Sequence, residues 1–528
     1  MPFTIILAML WVISSARADE QETYKNDSYS TLPLEVMPDI YLPISMKNYC
    51  SIQEVPSPFS IEIAALNQIT VTNIVGQEAY PMQVNQPYDQ VYTSLLAALQ
   101  DSGAGWTRVV INWSEIEPED PLGQDPVYKN LYWYDSRLSQ ISQIGVKIIA
   151  VINGAPNWAN DGYICPAVNL DHISEYQQFL DFIVSRYSQP PYNIKTWEIF
   201  NEADNTTKER AASHACFGRD TFEYKEIITS SYTTIKNIDS SATVLMSGIA
   251  YENWDDYQDG VFYRYFPDEI MGVAAYFDAL NFHYFPDFHA EWERWNPPAQ
   301  PTCSEPPGES GFSSYYGGGI DVIAKKNFFT NRMDVCQDVI KPVWLTEFGE
   351  HGWHDDDGSK RNQAYYVMKG YSRSLAAGIK NITWYALANP PDDVYDQSLL
   401  IYEPISGTFT TKPAFYAYKT LVAQLTNYKY DRLISLPGVE AYVFTNSCQE
   451  EKIIAWGNDT TIPISPAHLL EVTDYSGSIT SISDGGIGDM DGTVNGSIAV
   501  MLSMDPMTGS TRIDHPVPIP VYIQVLTP

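Results

Sequence analysis

Apolar and polar positions along most of this chain follow two spacings, one typical of buried strands and one typical of amphipathic helices. Short apolar or alternating runs predict strands. Between them, apolar residues recur at helical spacing, as they do from Tyr176 to Tyr187. The predicted strands cover residues 69–75, 107–112, 146–152, 197–200, 243–247, 277–283, 342–346 and 382–387. A helix is predicted in every connection except the one after 243–247, and a further helix follows the last strand.

This alternation of strands and helices predicts the fold class, because right-handed crossovers between such units give a parallel sheet. Eight successive units match an α/β fold of the closed (β/α)₈ or TIM-barrel type, predicted to span residues 63–425. An open doubly wound sheet is the alternative. It would normally carry a glycine-rich nucleotide loop after the first strand, and no G-x-G-x-x-G pattern stands there.

The pattern changes near residue 426, where helical spacing ends and short alternating runs such as 440–445 and 452–456 begin. Turn signals lie between these runs, so residues 426–528 are predicted to form a smaller C-terminal β-sandwich domain. The domain could bind carbohydrate or could brace the barrel. We favour the brace, because a fold by itself does not confer a function.

The N-terminal residues read as a targeting segment followed by a linker. Residues 1–18 combine a compact apolar run with Ala16-Arg17-Ala18, which predicts a signal peptide, although no Lys or Arg precedes the run. Residues 19–62 are rich in Pro, Ser, Asp and Tyr and are predicted to be an extended leader. No later stretch approaches the ~20 apolar residues of a membrane span, so we expect a secreted or extracytoplasmic protein.

The amino-acid composition limits the classes of partner that the protein is expected to bind. The formal charge is −34 and the isoelectric point is near 4.4, which excludes binding to nucleic acid or to anionic membranes through clustered basic residues. Aromatic residues make up 13% of the chain, and flat rings of this kind stack on the apolar faces of sugars. A neutral carbohydrate is therefore the expected partner, although an aromatic-rich core would give the same composition.

Cysteine and aspartate patterns predict neither a metal nor a cofactor. The six cysteines include no C-x-x-C pair, which argues against zinc, and their even number permits disulfides in an exported chain. Cys165 and Cys216 follow neighbouring predicted strands, so we hypothesise a disulfide between them. The sequences of 355–358 and 489–492 lack the glutamate that a calcium loop of the EF type requires, so solvated turns are preferred.

Two glutamates occupy equivalent places at the ends of predicted strands. Glu202 follows strand 197–200, and Glu347 follows strand 342–346. In a parallel barrel all strands end on one face, so residues distant in sequence can meet there. A carboxylate that attacks a sugar carbon and a carboxylic acid that protonates the departing oxygen are what a retaining glycosidase needs. The alternative is that both glutamates are ordinary loop residues.

Several local motifs resemble one enzyme group. N-E ends the fourth strand and T-E-F-G ends the seventh, and R-V-V-I-N-W-S-E-I-E-P covers residues 108–118. A-P-N-W at residues 155–158 and the tryptophan-containing strand at 382–387 add to the pattern. Together these motifs resemble the retaining glycoside hydrolases of clan A, most of all family 39 and the related family 5 cellulase-type enzymes. The resemblance covers residues 65–425, and the β-rich domain after the barrel also resembles those families.

The resemblance implies roles for particular residues. Glu202 would be the acid/base and Glu347 the nucleophile, while Asn201 would hold the sugar 2-hydroxyl. Arg108 is a donor that would keep Glu347 ionised. The further substrate-binding candidates are His283, Tyr284, Trp384, Trp158 and Trp353. These families often end their sixth strand in His-x-Tyr, whereas here Tyr284 directly follows His283, so strand alternation places the two on opposite faces unless a bulge intervenes. For His283 and for each tryptophan, a structural role is the alternative.

The expected function is therefore an exported retaining glycoside hydrolase that cleaves a β-linked poly- or oligosaccharide. A catalytically silent carbohydrate-binding barrel is the alternative from another class. A transglycosylase that uses the same residues is a further alternative.

Overall fold

The computed structural model describes residues 52–63, 88–160, 167–204, 217, 221–250, 272–286, 322–337, 339–389, 396–403 and 408–526. The predicted signal peptide, most of the leader, and Cys165 and Cys216 lie outside these residues. Within the described ranges, no helix has the length and apolar character needed to cross a membrane.

A parallel sheet of eight strands forms the centre of the fold. Its strands are β1 (Phe59–Glu62), β2 (Trp106–Asn112), β3 (Lys147–Asn153), β4 (Thr196–Ile199), β5 (Thr243–Leu245), β6 (Leu280–Tyr284), β7 (Val343–Phe348) and β8 (Ile382–Trp384). Their order is β5-β4-β3-β2-β1-β8-β7-β6. Parallel bridges pair Leu245 with Ala279 and Ile249 with Phe282, and these bridges join β5 to β6 and close the circle. The predicted (β/α)₈ barrel is confirmed.

Helices cover the outside of the barrel, and several of them present one apolar stripe to it. In α4, for example, Tyr176, Phe179 and Ile183 are fully buried. The helices are α1 (Tyr88–Ser102), α2 (Trp113–Ile116), α3 (Leu131–Gln143), α4 (Ile173–Tyr187), α5 (Thr221–Ile238), α6 (Val322–Gln337), α7 (Asp357–Ala376) and α8 (Pro413–Leu425), with short 3₁₀ turns at Leu170–His172 and Ala274–Tyr276.

The first barrel strand lies earlier than the sequence predicts. β1 covers Phe59–Glu62, inside the predicted leader, and pairs with β2 on one side and β8 on the other. The predicted first strand at 69–75 lies outside the described residues. The prediction missed β1 because the strand has only four residues and follows Pro56 and Pro58, which read as linker composition.

A small sheet and a β-sandwich follow the barrel. β9 (Ala388–Asn389), β10 (Leu400–Glu403) and β11 (Thr408–Thr411) form the small sheet. The C-terminal strands are β12 (Lys429–Leu436), β13 (Val439–Thr445), β14 (Glu451–Gly457), β15 (Thr460–Ile464), β16 (Leu469–Thr473), β17 (Ile479–Ser483), β18 (Ile498–Leu502), β19 (Met504–Asp505), β20 (Val517–Pro518) and β21 (Val521–Val525). Six of them form an antiparallel sheet in the order β12-β13-β14-β21-β16-β17, and β15 pairs with β18. The predicted C-terminal β-sandwich is thus also confirmed.

The two faces of this six-stranded sheet bury different cores. Ala441 and Val443 of β13 point into the sandwich, where they join Ile462 and Val500 of β15 and β18. Tyr442 alternates with them and belongs to the same hydrophobic cluster as the barrel and its helices. Alternation along a strand sends successive side chains to opposite faces, so one strand serves both cores.

Polar contacts reinforce the attachment of the sandwich to α7. Arg373 of α7 forms a two-point ion pair with Glu440 of β13, with N···O distances of 2.8 and 2.9 Å. Arg361, one of the first residues of the same helix, donates to Asp505 at 2.8 Å. Apolar and charged contacts therefore fix the domain against the helix that follows β7.

Candidate active site

The chain turns sharply where β4 ends. Phe200 and Glu202 both have positive φ angles, 64° and 46°, a conformation that residues other than glycine seldom adopt. The turn is fixed from the neighbouring β5 segment, because the Ser247 hydroxyl accepts from the backbone N–H of Ala203 at 2.8 Å. Strained positions of this kind concentrate at functional sites. Here the turn places Asn201 and Glu202 at the carboxyl end of the barrel.

Arg108 of β2 is the centre of a buried polar network. Its side chain is 1% exposed and binds Glu198 with two hydrogen bonds of 2.9 and 2.8 Å. Its Nη2 also donates to Asn201 Oδ1 at 2.7 Å, and its Nη1 donates to Glu347 Oε1 at 2.6 Å and to Glu62 Oε2 at 2.8 Å. One guanidinium thereby holds groups from three other strands or strand ends, including the predicted nucleophile.

A bulge in β7 directs Glu347 into this network. Phe282 is paired with Leu345, but the next residue, His283, is paired with Glu347, so Thr346 is an extra residue in β7. Because of this bulge, the side chains of Thr346 and Glu347 both contact the imidazole of His283. Thr346 Oγ1 lies 3.2 Å from His283 Nε2, and Glu347 Oε2 lies 3.5 Å from His283 Nδ1.

The imidazole of His283 lies against the backbone of Gly248. A side chain there would put its first carbon 2.0 Å from His283 Nε2, so only glycine leaves room for the ring. On its other side, His283 Nδ1 lies 2.8 Å from Glu202 Oε1. His283 therefore contacts both candidate catalytic glutamates.

The two glutamates face each other at short range. Carboxylate oxygens of Glu202 and Glu347 and a ring nitrogen of His283 all lie within 4.8 Å of one another. Three such groups could also surround a metal ion. However, Glu347 already receives a hydrogen bond from the cationic Arg108, which would repel a metal cation beside it. The arrangement suits proton transfer better than metal binding.

The hydrogen bonds of Thr346 define the tautomer of His283. Thr346 Oγ1 lies 2.9 Å from Asn281 Oδ1 and 3.3 Å from Glu198 Oε1, both of which are acceptors. The single hydroxyl proton goes to one of them, so the hydroxyl oxygen is left to accept from His283 Nε2–H. A neutral His283 then presents an unprotonated Nδ1 to Glu202.

Burial dominates the ionisation of the site. It lowers the pKa of His283 to about 4, against the attraction of Glu347, so the ring is neutral near pH 7. Burial also raises the pKa of Glu347, to about 8, while the charge of a protonated His283 and that of Arg108 act in the opposite direction. For Glu62, burial raises the pKa to about 7, again opposed by Arg108.

Two of the predicted substrate-binding residues cannot contact a sugar. Trp384 is fully buried, and its indole N–H donates to the backbone oxygen of Gln397 at 3.0 Å. Its ring packs edge-on against Phe348 and parallel to Tyr371 of α7. Tyr284 is also fully buried in the hydrophobic cluster, as strand alternation after His283 requires. Both residues therefore belong to the core around the barrel.

The other two tryptophans are partly exposed in the loops after β3 and β7. Trp158 donates its indole N–H to the backbone oxygen of Glu117 at 3.1 Å. Trp353 is parallel to the ring of His351 at 4.9 Å, and the Arg512 guanidinium of the C-terminal domain lies 4.2 Å from its centroid. The Trp158 ring also meets Trp113 and His172 edge-on, at 5.3 and 5.4 Å between ring centroids, so neither tryptophan presents a fully free ring to a sugar.

Sequence reasoning missed four residues at this end of the barrel. Glu62 lies inside the predicted leader, whereas Glu198 and Thr346 are indistinguishable in sequence from other strand residues. The fourth, Tyr385, directly follows Trp384 and is partly exposed. No sequence signal distinguishes Tyr385 from Trp384, because β8 has only three residues and Tyr385 lies just beyond its end.

Comparison with known proteins gives a match only at the level of structure. No protein-family model matches the sequence, and no curated protein does. A family 39 glycoside hydrolase from the gut symbiont Bacteroides cellulosilyticus WH2 aligns with a TM-score of 0.59 and 16% identity over 89% of this chain and 81% of that one. A family 39 β-xylosidase from Caulobacter crescentus aligns with a TM-score of 0.53 and 13% identity over 91% of this chain and 98% of that one. An endo-β1,6-glucanase aligns with a TM-score of 0.53 and 12% identity over 90% of this chain and 93% of that one.

The chain therefore shares its fold, a (β/α)₈ barrel followed by a β-sandwich, with these glycoside hydrolase structures. Several of the similar structures belong to family 39, and the resemblance inferred from the sequence is confirmed for the fold. Because the sequence identities are only 11–16%, the similarity shows a shared fold and nothing more.

Proposed function

We propose that the protein is a retaining glycoside hydrolase in which Glu347 is the nucleophile and Glu202 the acid/base. One observation carries the proposal: carboxylate oxygens of these residues approach within 4.8 Å at the exits of β7 and β4. Retaining enzymes hold their two carboxyl groups ~5–5.5 Å apart, whereas inverting enzymes need ~6.5–9.5 Å to admit a water molecule. The separation here suits direct attack by a carboxylate.

The proposed reaction has two displacements. Glu347 attacks the anomeric carbon while Glu202 gives its proton to the glycosidic oxygen, so one C–O bond forms as the other breaks. The ionised Glu202 then takes a proton from water, and the resulting hydroxide oxygen displaces Glu347 from the sugar. Both steps invert the anomeric carbon, which gives net retention.

The hydrogen bonds around Glu202 support its role as the acid. His283 Nδ1 lies 2.8 Å from Glu202 Oε1, and the tautomer inferred from the hydrogen bonds of Thr346 leaves this nitrogen unprotonated. A carboxylate facing a nitrogen lone pair at that distance is repelled, whereas a carboxylic acid donates to it. The resting site therefore favours a proton on Glu202, directed at His283 until a glycosidic oxygen replaces the imidazole as acceptor.

Asn201 is oriented for the sugar by the same network. Its Oδ1 accepts from Arg108 Nη2 at 2.7 Å, which leaves the amide NH₂ group as the donor available to a ligand. We assign this donor to the sugar 2-hydroxyl. A hydrogen bond there strengthens as charge develops on the ring in the transition state.

The substrate is proposed to be a neutral β-linked saccharide outside the cell. A formal charge of −34 disfavours anionic polymers, and the apolar run with the A-x-A pattern in residues 1–18 supports export. Two of the similar structures are named as a β-xylosidase and an endo-β1,6-glucanase, so β-xylosides and β-glucans are the first substrates to test. The proximity of the two glutamates favours catalysis over a silent sugar-binding barrel.

The direct test is hydrolysis of nitrophenyl β-glycosides, xylan and β-glucans, with the product anomer followed by proton NMR. We expect the β-anomer to appear first and to equilibrate slowly with the α-anomer. An α-product formed first would mean inversion and would reject the assignment of Glu347 as a nucleophile. No turnover of any β-glycoside would favour the silent barrel.

Tyr385 is expected to be the aromatic platform at the end of β8. It is partly exposed, its backbone N–H donates to the backbone oxygen of Phe348 at 2.8 Å, and it directly follows Trp384, which is paired with Phe348 of β7. Tyr385→Ala should raise KM about tenfold with a smaller change in kcat, because stacking stabilises the ground and transition states alike.

Tyr385→Phe is the matched control, since it keeps the ring and should keep KM within about twofold. Trp384→Phe should instead lower the melting temperature and leave KM unchanged, because Trp384 is buried. A KM increase for Trp384→Phe without one for Tyr385→Ala would reverse the assignment.

A further inference from the structure

Glu62 is a buried carboxylate that the proposed reaction does not use. It is the last residue of β1, it is paired in register with Arg108, and it is 2% exposed. Its Oε2 accepts from Arg108 Nη1 at 2.8 Å, and the same nitrogen donates to Glu347 Oε1 at 2.6 Å. A single nitrogen therefore serves both Glu62 and the proposed nucleophile.

The charges around this nitrogen do not balance if every group is ionised. Arg108 directs its Nε and Nη2 to Glu198, which thereby takes the two-point ion pair. Glu62 and Glu347 remain on Nη1, so one guanidinium would face three buried carboxylates. Uncompensated charge at this depth is costly, and such groups retain a proton instead.

The charged and titratable neighbours in the described part of the site oppose full ionisation of the pair. Glu198, and Glu202 whenever it is ionised, repel an ionised Glu62, and Arg108 attracts it. Glu347 meets the repulsion of an ionised Glu62 or Glu202 and the attraction of Arg108 and of a protonated His283. Burial is the largest cause for both groups and raises the pKa of each carboxyl group above its ordinary value, so the pair holds a proton where free glutamates would be ionised.

We propose that Glu62 and Glu347 share one proton across Arg108 Nη1, and that Glu62 thereby sets the pH above which Glu347 is free to attack. The proposal deepens the proposed function and rests on it for the role of Glu347. Glu62 acts as a positioning residue, since it touches neither sugar nor leaving group. The last proton leaves a pair of this kind at a higher pH than it would leave an isolated carboxyl group.

The catalytic test is the pH dependence of kcat/KM for a dinitrophenyl β-glycoside, whose departure needs no acid. Glu62→Gln keeps an acceptor for Arg108 Nη1 but cannot ionise. We expect the acidic limb to move to lower pH by about one unit, with the maximal kcat within about fivefold of wild type. Glu54→Gln, an exposed site shortly before β1, is the control for loss of one charge and should leave the profile unchanged. An acidic limb that coincides with that of wild type would overturn the proposal.

A stability measurement tests proton sharing without any catalysis. The unfolded chain ionises both glutamates above the ordinary glutamate pKa of 4.5, whereas the folded pair keeps a proton up to a pKa of about 7. Folding therefore takes up a proton in this window, and wild-type stability must fall as pH rises through it. The ratio of unfolding constants, wild type over Glu62→Gln, should increase up to about tenfold per pH unit. A ratio that is constant from about pH 5 to 7 would reject the shared proton.

Glu347→Gln gives the reciprocal result. If the proton is shared, this substitution should abolish the same uptake, whereas a proton that belonged to Glu62 alone would persist and would overturn the proposal. Wild type that hydrolyses no glycoside but shows the uptake would refute the proposed function and leave the shared proton standing. The proposed function and the shared proton can therefore be refuted independently of each other.

Discussion

Replacement of Glu347 by glutamine should reduce kcat/KM for every β-glycoside by about 10⁴-fold or more, because the covalent intermediate can no longer form. The folded state should persist, since glutamine still offers Arg108 an acceptor at the position of Oε1. Glu347→Gly goes further and opens space for an external nucleophile. Added azide should restore turnover of an activated β-glycoside in that variant and give the α-glycosyl azide.

The controls for this experiment are the folding of each variant and a substitution at the neighbouring residue of the same strand. Circular dichroism and the melting temperature establish that each Glu347 variant is folded. Thr346→Val, next to Glu347, removes a hydroxyl that contacts His283 and Glu198 but leaves every carboxylate in place, and it should cost far less activity than Glu347→Gln. Near wild-type hydrolysis by Glu347→Gln would remove Glu347 from the mechanism.

Replacement of Glu202 by alanine should produce a different pattern, because it removes the acid and the base but not the nucleophile. Substrates with poor leaving groups should lose about 10²–10⁴-fold in kcat/KM. A dinitrophenyl glycoside should react in the first step almost as in wild type and then stall, since the second step lacks its base. The fall in kcat/KM at high pH should also disappear, because in wild type it reports the loss of the proton from Glu202.

Azide distinguishes the two glutamates. In Glu202→Ala it should attack the covalent intermediate from the open face and yield the β-glycosyl azide, the opposite anomer from that of Glu347→Gly. A stalled intermediate should also be visible by mass spectrometry of the intact protein. An equal loss for all leaving groups, with no rescue by azide, would show that Glu202 is not the acid/base.

The arrangement of the barrel and the positions of the two catalytic candidates could be predicted from the sequence. Hydrophobic spacing marks β4 and β7 clearly, because their residues are buried, and in a parallel barrel the ends of such strands meet on one face. That geometry brings Glu202 and Glu347 together from sequence positions far apart. The role of Arg108 comes instead from the resemblance to clan A enzymes and from the need for a cation beside an ionised Glu347.

The features that the sequence analysis missed were missed for local reasons. A four-residue strand such as β1 gives too little periodicity to stand out after prolines, and Glu62 is lost from the predicted site with it. The bulge at Thr346 has no sequence signature, although it sends both Thr346 and Glu347 to His283. The choice between Trp384 and Tyr385 depends on which side of β8 faces the cleft, and a three-residue strand does not define this in advance.

The alternation in β13 makes the two domains inseparable in a physical sense. Tyr442 and Phe444, together with Trp456 of β14, complete an interior that the barrel begins, while Ala441 and Val443 complete the sandwich. Cutting the chain between the domains would expose large aromatic rings to water on both fragments. Melting of one domain should therefore destabilise the other, and the protein should unfold as one cooperative unit.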